Sequence, residues 1–464
     1  MWGADNALEP VRASWRGAGT DGLRAGESVR GTALRHAART RRERDAPHRP
    51  AGMRELRNEE FLAVLSLLQV ESTPLHGAGG GHAGAAREAL ARAAASLGVD
   101  SSTARLSAEQ EDAIDVVGGL FDALAAGHVL QPEARQLLAC LMLPVLRMAL
   151  EDPRLFEREQ PPAMRLLARV VELWDGNDGT GGHEAQLHAL ADAAAREVVA
   201  EYHGDGSAVS GALERLESAL APLMRRASIS ERRAWQAIEG GERLEAARSA
   251  ADHEYAARAD GRPLLPAVAT FLQEYWRQAL VQAWLRAGAG RERFADVASL
   301  GDDLVRLDAA AADGEGAGVA TALIQLQPKL HDCCAACGLD TPAAEAVIAK
   351  LVGELAMPDA ARRLHDSTPM AKPAPTAGES GVFPCHELQP PRRLVHVGSE
   401  GPPRALRLAW RSPLSGAYLL VNAQGTREHL LDGAELAAMI ADGRLLLRQS
   451  EDPVEAALQQ LERG

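Results

Sequence analysis

A cysteine-rich segment is the part of the sequence that comes nearest to a chemical motif. Cys334 and Cys337 have the C-x-x-C spacing, and His331 and Cys333 stand beside them. Such a pair can form a redox-active dithiol or half of a zinc site. A redox pair is expected between a strand and a helix, and zinc requires a second ligand pair at a defined spacing. The segment instead ends an alanine-rich helical pattern, so we predict a packing role, with no metal and no cofactor.

Two glycine-rich segments formally resemble ligand loops. Gly79, Gly81 and Gly84 match G-x-G-x-x-G, but they follow a helical pattern, where a dinucleotide site needs a strand. The loop that starts at Asp175 resembles a calcium loop, but Gln186 stands at the twelfth position, which requires an acid. We interpret the two segments as a linker and a turn. No G-x-S-x-G or H-E-x-x-H motif is present, so we predict no catalytic residues.

Four arginines near the C-terminus form the predicted ligand or partner surface. Arg392 and Arg393 precede a short strand, and Arg407 and Arg411 lie in the next one. Arginine can bind phosphate with two parallel hydrogen bonds. Small β-domains of the PilZ class bind cyclic dinucleotides, but the D/N-x-S-x-x-G element of that class is absent. A nucleotide-sensing module is therefore the alternative hypothesis for this region.

Charge argues against nucleic acid and membrane partners. The chain of 464 residues has a net charge of −14, although its first 52 residues include ten arginines and six acidic residues. An acidic body is a poor electrostatic match for nucleic acid or an anionic bilayer. The longest apolar run, 137–146, is about half of a membrane span. Five cysteines and no leader-like N-terminus predict a cytoplasmic protein.

Hydrophobic periodicity predicts a mainly α fold: a multi-helix body with a small C-terminal β-rich, barrel-like domain. Apolar residues recur at helical spacing from 53 onward, for example Ile114, Val117 and Phe121. After a proline-rich stretch the period changes to two. The expected divisions are a disordered basic segment or an over-called start (1–52), an α-helical body (53–357), a proline-rich linker (358–392) and the β-rich domain with one or two helices (393–464).

Aromatic residues are scarce, so those within apolar stripes should mark the core. In the β-domain, Leu406, Leu408 and Trp410 alternate with Arg407, which predicts that the even-numbered residues are buried and that Arg407 and Arg411 face water. A turn at 412–416 should join this strand to one that contains Tyr418. The predicted structural core residues are Phe121, Trp174, Trp276, Trp410 and Tyr418.

Several segments resemble a bacterial family of unknown function, catalogued as domain-of-unknown-function family 1631. They are IDVVGGLFD at 114–122, LPVLRMALED at 143–152, residues 266–285 and LAWRSPLSGAYLLVNAQG at 408–425. Members are sometimes labelled thymidine phosphorylase, but the phosphate-binding signature of that enzyme is absent here. The resemblance implies no activity, cofactor or catalytic residue.

The favoured hypothesis is a non-enzymatic cytosolic regulatory or scaffold protein that binds other proteins. Three or more apolar helix stripes, two predicted modules and the lack of a convergent acid, base and electrophile support it. The nucleotide-sensing module and an enzyme of unrecognised type are the alternatives.

Overall fold

The computed structural model describes Leu34 and residues 54–70, 81–98, 104–152, 154–158, 160–288, 292–357, 359–364, 388–398, 401–448, 450 and 452–463. These residues form two compact units. The first contains the described residues within Met1–Glu231, Gly381–Trp410 and Tyr418–Gly464, and the second those within Arg232–Ser380 and Arg411–Ala417. The domain boundaries expected from the sequence stay a prediction. The predicted N-terminal segment, apart from Leu34, and most of the predicted linker lie outside the described residues.

Long helices build the first unit, together with a short parallel strand pair. Prolines stand at the first positions of two helices, where a missing N–H costs nothing, and Ser107 forms a capping box with Gln110. The elements are β1 (Arg54–Glu55), α1 (Asn58–Val70), α2 (Gly81–Ser96), β2 (Ala104–Arg105), α3 (Ala108–Gly127), α4 (Pro132–Glu151), α5 (Pro162–Trp174), α6 (Gly182–Glu201) and α7 (Gly206–Ala259), whose last part belongs to the second unit.

One apolar cluster joins these helices. Phe121 and Trp174 are fully buried within it, and the Trp174 indole N–H donates to Asp192 Oδ1 at 2.9 Å. Leu34, from the segment expected to be disordered, is helical and buried in the same cluster. Burial of such stripes supplies most of the stability of a helical unit.

A second series of helices packs around Trp276. The series comprises β3 (Pro263–Leu264), α8 (Pro266–Thr270), a π-helical turn (Phe271–Trp276), α9 (Arg277–Ala287), α10 (Glu292–Ala312), α11 (Gly316–Ala336), α12 (Thr341–Leu355) and β4 (Arg363–Leu364), which pairs antiparallel with β3. The Trp276 ring is fully buried, and its N–H donates to the Val297 carbonyl at 2.6 Å. Arg258 stacks over the ring at 5.4 Å from its centroid.

The C-terminal strands form an open antiparallel sheet. They are β5 (Arg392–His396), β6 (Arg404–Arg411), β7 (Tyr418–Val421), β8 (Arg427–Leu431) and β9 (Leu445–Leu447), in the spatial order β8-β7-β6-β5-β9. The mainly α fold is confirmed. The barrel-like expectation is wrong, because β8 and β9 stay at opposite edges. A helix, α13 (Gly433–Ala441), covers the apolar face that closure would otherwise have to bury.

One face of this sheet carries the apolar side chains expected from the alternation in β6, but β7 is buried on both faces. Leu406, Leu408, Tyr418 and Leu420 form one apolar cluster with Leu436 and Met439 of α13. The last helix, α14 (Pro453–Arg463), buries Val454, Leu458 and Leu461 in the large cluster of the first unit. Among the described helices, none combines the length and apolar character needed to cross a membrane.

Candidate functional site

An apolar groove in the second unit is the candidate site, and the hairpin of α11 and α12 positions it. Gly338 has a φ of +81°, which allows the tight turn between the two helices. Asp340 caps α12 by accepting a hydrogen bond from the Ala343 N–H at 3.0 Å. The inward stripe of α11 consists of Val319, Leu323, Leu326 and Leu330, all buried.

The groove lies along this hairpin and has a volume of about 490 Å³. Leu323 and Ile348 are buried residues of its lining, and Ala311 of α10 also lines it. Two large apolar side chains of the lining remain open to solvent: Ile324 is 71% exposed and Val352 is 39% exposed. Exposure of a contiguous apolar surface marks an interaction site more often than isolated surface leucines do.

Polar groups are few in the groove, and two acidic residues lie beside one end of it. Gln327 is the one polar side chain among the lining residues. Asp313 and Glu315 flank Gly314, which lines the groove where α11 begins, and both acids are exposed. Lys329 lies 3.8 Å from Asp303 of α10. The lining can therefore bury apolar side chains, but it contains no group for acid–base or nucleophilic chemistry.

Cysteines of the C-x-x-C segment are buried or half-buried. Cys333 and Cys334 are buried, and Cys337 Sγ donates to the Tyr275 carbonyl at 3.2 Å. Burial raises the pKa of all three thiols, and that of Cys337 to about 11, so they are protonated at neutral pH. Within the described residues, no group of three or more His, Cys, Asp or Glu side chains could hold a metal ion.

The four predicted surface arginines do not form one open patch. Arg393 and Arg407 lie directly opposite each other on β5 and β6. Arg393 pairs with Glu172 at 2.9 Å and Arg407 with Glu231, although Arg407 was expected to face water. The reason is that this face of the sheet meets the helices of the first unit. Arg392 is half-buried, and Arg411 is exposed at the end of β6.

The predicted core aromatics have two different environments. Phe121, Trp174, Trp276 and Tyr418 are buried. Trp410 is half-buried and lies outside the apolar cluster of the sheet, whereas Leu406 and Leu408 on the same strand are inside it. Trp410 stands next to the last residue of β6, so alternation alone did not determine its burial.

A charged cluster, which we call the Asp175 junction, connects the helices and the sheet within the first unit. Arg448 donates to Asp175 at 2.6 Å and to the Gly127 carbonyl at 2.8 Å. The Val129 N–H donates to Asp175 at 2.9 Å. Gly176, with φ +68°, accepts from the Ala405 N–H at 2.9 Å. A Cβ at Gly176 would lie 2.9 Å from that nitrogen, so the close approach requires glycine.

Titratable groups at the Asp175 junction are perturbed by burial. Burial raises the pKa of Glu172, against the opposing effect of Arg393 and Arg169. Burial also lowers the pKa of His128, against the opposing effect of Asp175. Ion-pair networks produce such shifts as readily as catalytic sites do. The two aspartates of the loop that resembled a calcium site, Asp175 and Asp178, accept hydrogen bonds from protein donors.

Residues of the 114–122 motif line one helix–helix contact. Asp115, Gly118 and Asp122 follow i, i+3, i+7 spacing on α3 and face α2. Asp115 pairs with Arg87, and Asp122 Oδ1 lies 2.6 Å from His82 Nδ1. A Cβ on Gly118 would lie 2.6 Å from the Ala83 nitrogen. The motif therefore encodes close packing and paired polar side chains between α2 and α3.

The 408–425 motif is also structural. Gly425, with φ +73°, lies so close to the Ala227 carbonyl of α7 that a Cβ there would clash. Within the second unit, Ser412 and Ser415 donate to the carboxylate of Glu242 on α7, the latter at 2.6 Å. Both turns of the motif thus contact the long helix.

Comparison with known families identifies the chain. The family model described as "Protein of unknown function (DUF1631) 2nd domain" matches residues 55–205, and the model of the third domain matches residues 237–352. The chain belongs to the DUF1631 family. The resemblance seen in the sequence is confirmed. Searches of curated proteins and of solved structures gave no match. The groove lies within the third DUF1631 domain, apart from a few lining residues just beyond its end.

Sequence reasoning did not identify the groove. Leu323 to Leu330 and Val347 to Leu355 were interpreted as ordinary members of the helical series. A signal was present: Ile324 falls one residue outside the inward stripe of α11, and Val352 likewise lies next to the buried Leu351. An apolar residue beside a complete stripe indicates a second contact face.

Proposed function

We propose that this DUF1631 protein is a non-enzymatic regulatory or scaffold protein of the cytoplasm, which binds another protein through the apolar groove between α11 and α12. The observation that supports it most is the exposure of Ile324 and Val352 along a groove of about 490 Å³. Two adjacent helices with an apolar seam offer the site that an amphipathic helix of a partner recognises.

Contacts in the first unit support a structural role for its charged residues. The arginines that suggested a nucleotide site are largely engaged: Arg393 with Glu172 and Arg407 with Glu231. A cyclic dinucleotide would have to compete with both carboxylates for these guanidinium groups. The nucleotide-sensing alternative is therefore the weaker proposal, and the acidic composition gives no support to a nucleic-acid partner.

Site-specific cross-linking tests the proposal. A photoreactive benzoylphenylalanine at Val352 should give a discrete cross-link to one protein in the producing cells. Ile324→Glu in the same chain should abolish it, because a carboxylate would be placed in an apolar contact. Ile229→Glu is the matched control, because Ile229 is 53% exposed but lies on α7 in the first unit. The proposal fails if no cross-link forms, or if both substitutions reduce it equally.

A further inference from the structure

The length of the groove sets the size of its occupant. Lining residues of α11 extend from Gly316 to Leu330. At about 1.5 Å per residue this distance is about 21 Å, or four helical turns. A third helix laid along the seam would complete a bundle with α11 and α12. Small lining residues, Gly316, Ala320 and Ala356, let that backbone come close.

The apolar lining of the groove requires an apolar face on its occupant. Gln327 is the one polar lining residue, and the volume of about 490 Å³ is sufficient for a few large aliphatic side chains. Anchors at i, i+3 or i+4 and i+7 of a helix match a groove of this shape. Ile324, open at the rim, would be covered by such a helix.

Charges beside the groove indicate which residues the other face of the occupant should carry. Asp313 and Glu315 flank the groove end at which α11 begins. The lysine of α11, Lys329, is directed to Asp303. A partner with basic residues near this end would gain from the two carboxylates, and an acidic partner would be repelled.

The net charge also argues against a second copy as the occupant. Each chain carries a net charge of −14, so two copies repel one another as they approach. A partner of opposite charge has the reverse advantage, because complementary fields increase the rate of encounter.

We infer that the groove binds a cationic amphipathic helix of a partner protein, with apolar anchors in the seam and basic residues over Asp313 and Glu315. This inference rests on the proposed function, because it specifies the partner of the same groove. It specifies that the partner segment is helical and positively charged, which the proposed function alone does not require.

Two synthetic helical peptides of about four turns test the inference on the full chain. Both have leucines at i, i+3 and i+7, and their remaining positions are lysine in one peptide and glutamate in the other. Fluorescence anisotropy should show the lysine peptide binding at least about tenfold more tightly. Asp313→Asn with Glu315→Gln should remove most of this preference. Ile324→Glu should abolish binding, because it places a carboxylate in the groove. General attraction of the lysine peptide to an acidic protein would instead increase with the added negative charge, so this variant distinguishes the two.

The control variant and the cross-link determine how the other possible results are interpreted. Ile229→Glu should bind the lysine peptide as the wild type does; equal loss in both variants overturns the inference. Equal affinity for the two peptides overturns the assigned charge but leaves the groove as a protein-binding site. If neither peptide binds while the Val352 cross-link persists, the proposed function stands and the occupant is not a cationic helix. A cross-link to a second copy, or to residues 365–387 of the same chain, overturns the inference in the same way.

Discussion

Side chains at the Asp175 junction are paired with protein partners, whereas those of the groove are apolar and partly open to solvent. At the junction, Asp175 accepts from Arg448 and from a backbone N–H. In the groove, Ile324 is 71% exposed, and Gln327 is the one polar lining residue. The difference separates residues that hold the fold together from residues that remain available to a partner. The residues that looked most chemical in the sequence belong to the first class.

The largest expected effect is at the junction. Asp175→Ala should lower the free energy of unfolding by about 3–5 kcal/mol, because it leaves the mostly buried Arg448 side chain without its carboxylate. Urea denaturation followed by circular dichroism measures it. Asp178→Ala is the control, because Asp178 lies in the same loop and accepts hydrogen bonds from the nearby Thr180. Equal effects of the two substitutions would show that the long-range contacts of Asp175 do not stabilise the fold.

A smaller effect is expected at the motif glycine of α3. Gly118→Ala should destabilise by about 1–3 kcal/mol, because the new methyl group would press on Ala83 of α2. Gly84→Ala, on α2 with nothing within 4 Å of the added Cβ, should instead stabilise by roughly 0.5–1 kcal/mol. Thermal unfolding of the two variants distinguishes a packing motif from a binding motif. If Gly118→Ala is as stable as Gly84→Ala, the motif is not a contact between helices.

Acidification should weaken the junction and spare the groove. The folded state lowers the pKa of His128 through burial, so the unfolded chain binds more protons at this residue. Its contribution to stability is therefore present above a pH of about 6.5 and is lost as the pH falls through the lower folded pKa. Glu172, whose pKa is raised, changes in the opposite direction.

Comparison with His128→Gln isolates this contribution. Between about pH 7 and pH 5, the melting temperature of the wild type should fall more than that of the variant. Hydrogen exchange should increase near the Arg448 contact and not in α11 or α12. Identical pH profiles of the two proteins would show that His128 does not couple to stability.

The smallest change in stability is expected in the groove, where the largest change in binding is expected. Ile324→Ser should alter the free energy of unfolding by no more than about 0.5 kcal/mol, because the side chain is mostly exposed already. Leu323→Ala, at the buried neighbouring position, should cost about 2–5 kcal/mol. Chemical denaturation of both variants measures this contrast. A large loss for Ile324→Ser would mean that the residue supports the fold rather than a partner.

Local periodicity was sufficient for much of the architecture. The stripe at Ile114, Val117 and Phe121 predicted α3, since apolar side chains at helical spacing must share one buried face. Alternation in β6 predicted that Leu406 and Leu408 share the core of the sheet. The same alternation did not predict the half-burial of Trp410, because the burial of a strand residue depends on what packs over it and not on its spacing.

The sequence by itself determined the mainly α fold, the antiparallel hairpin and the family, because these depend on residue spacing along the chain. The tertiary structure alone decided the rest. Arg393 and Arg407 became ion-pair partners because Glu172 and Glu231, distant in sequence, lie against the same sheet face. The groove appeared only where α11 and α12 come together, since its two sides are separated by a turn and neither helix contains it alone. Side chains that meet across elements depend on packing, which no local pattern specifies.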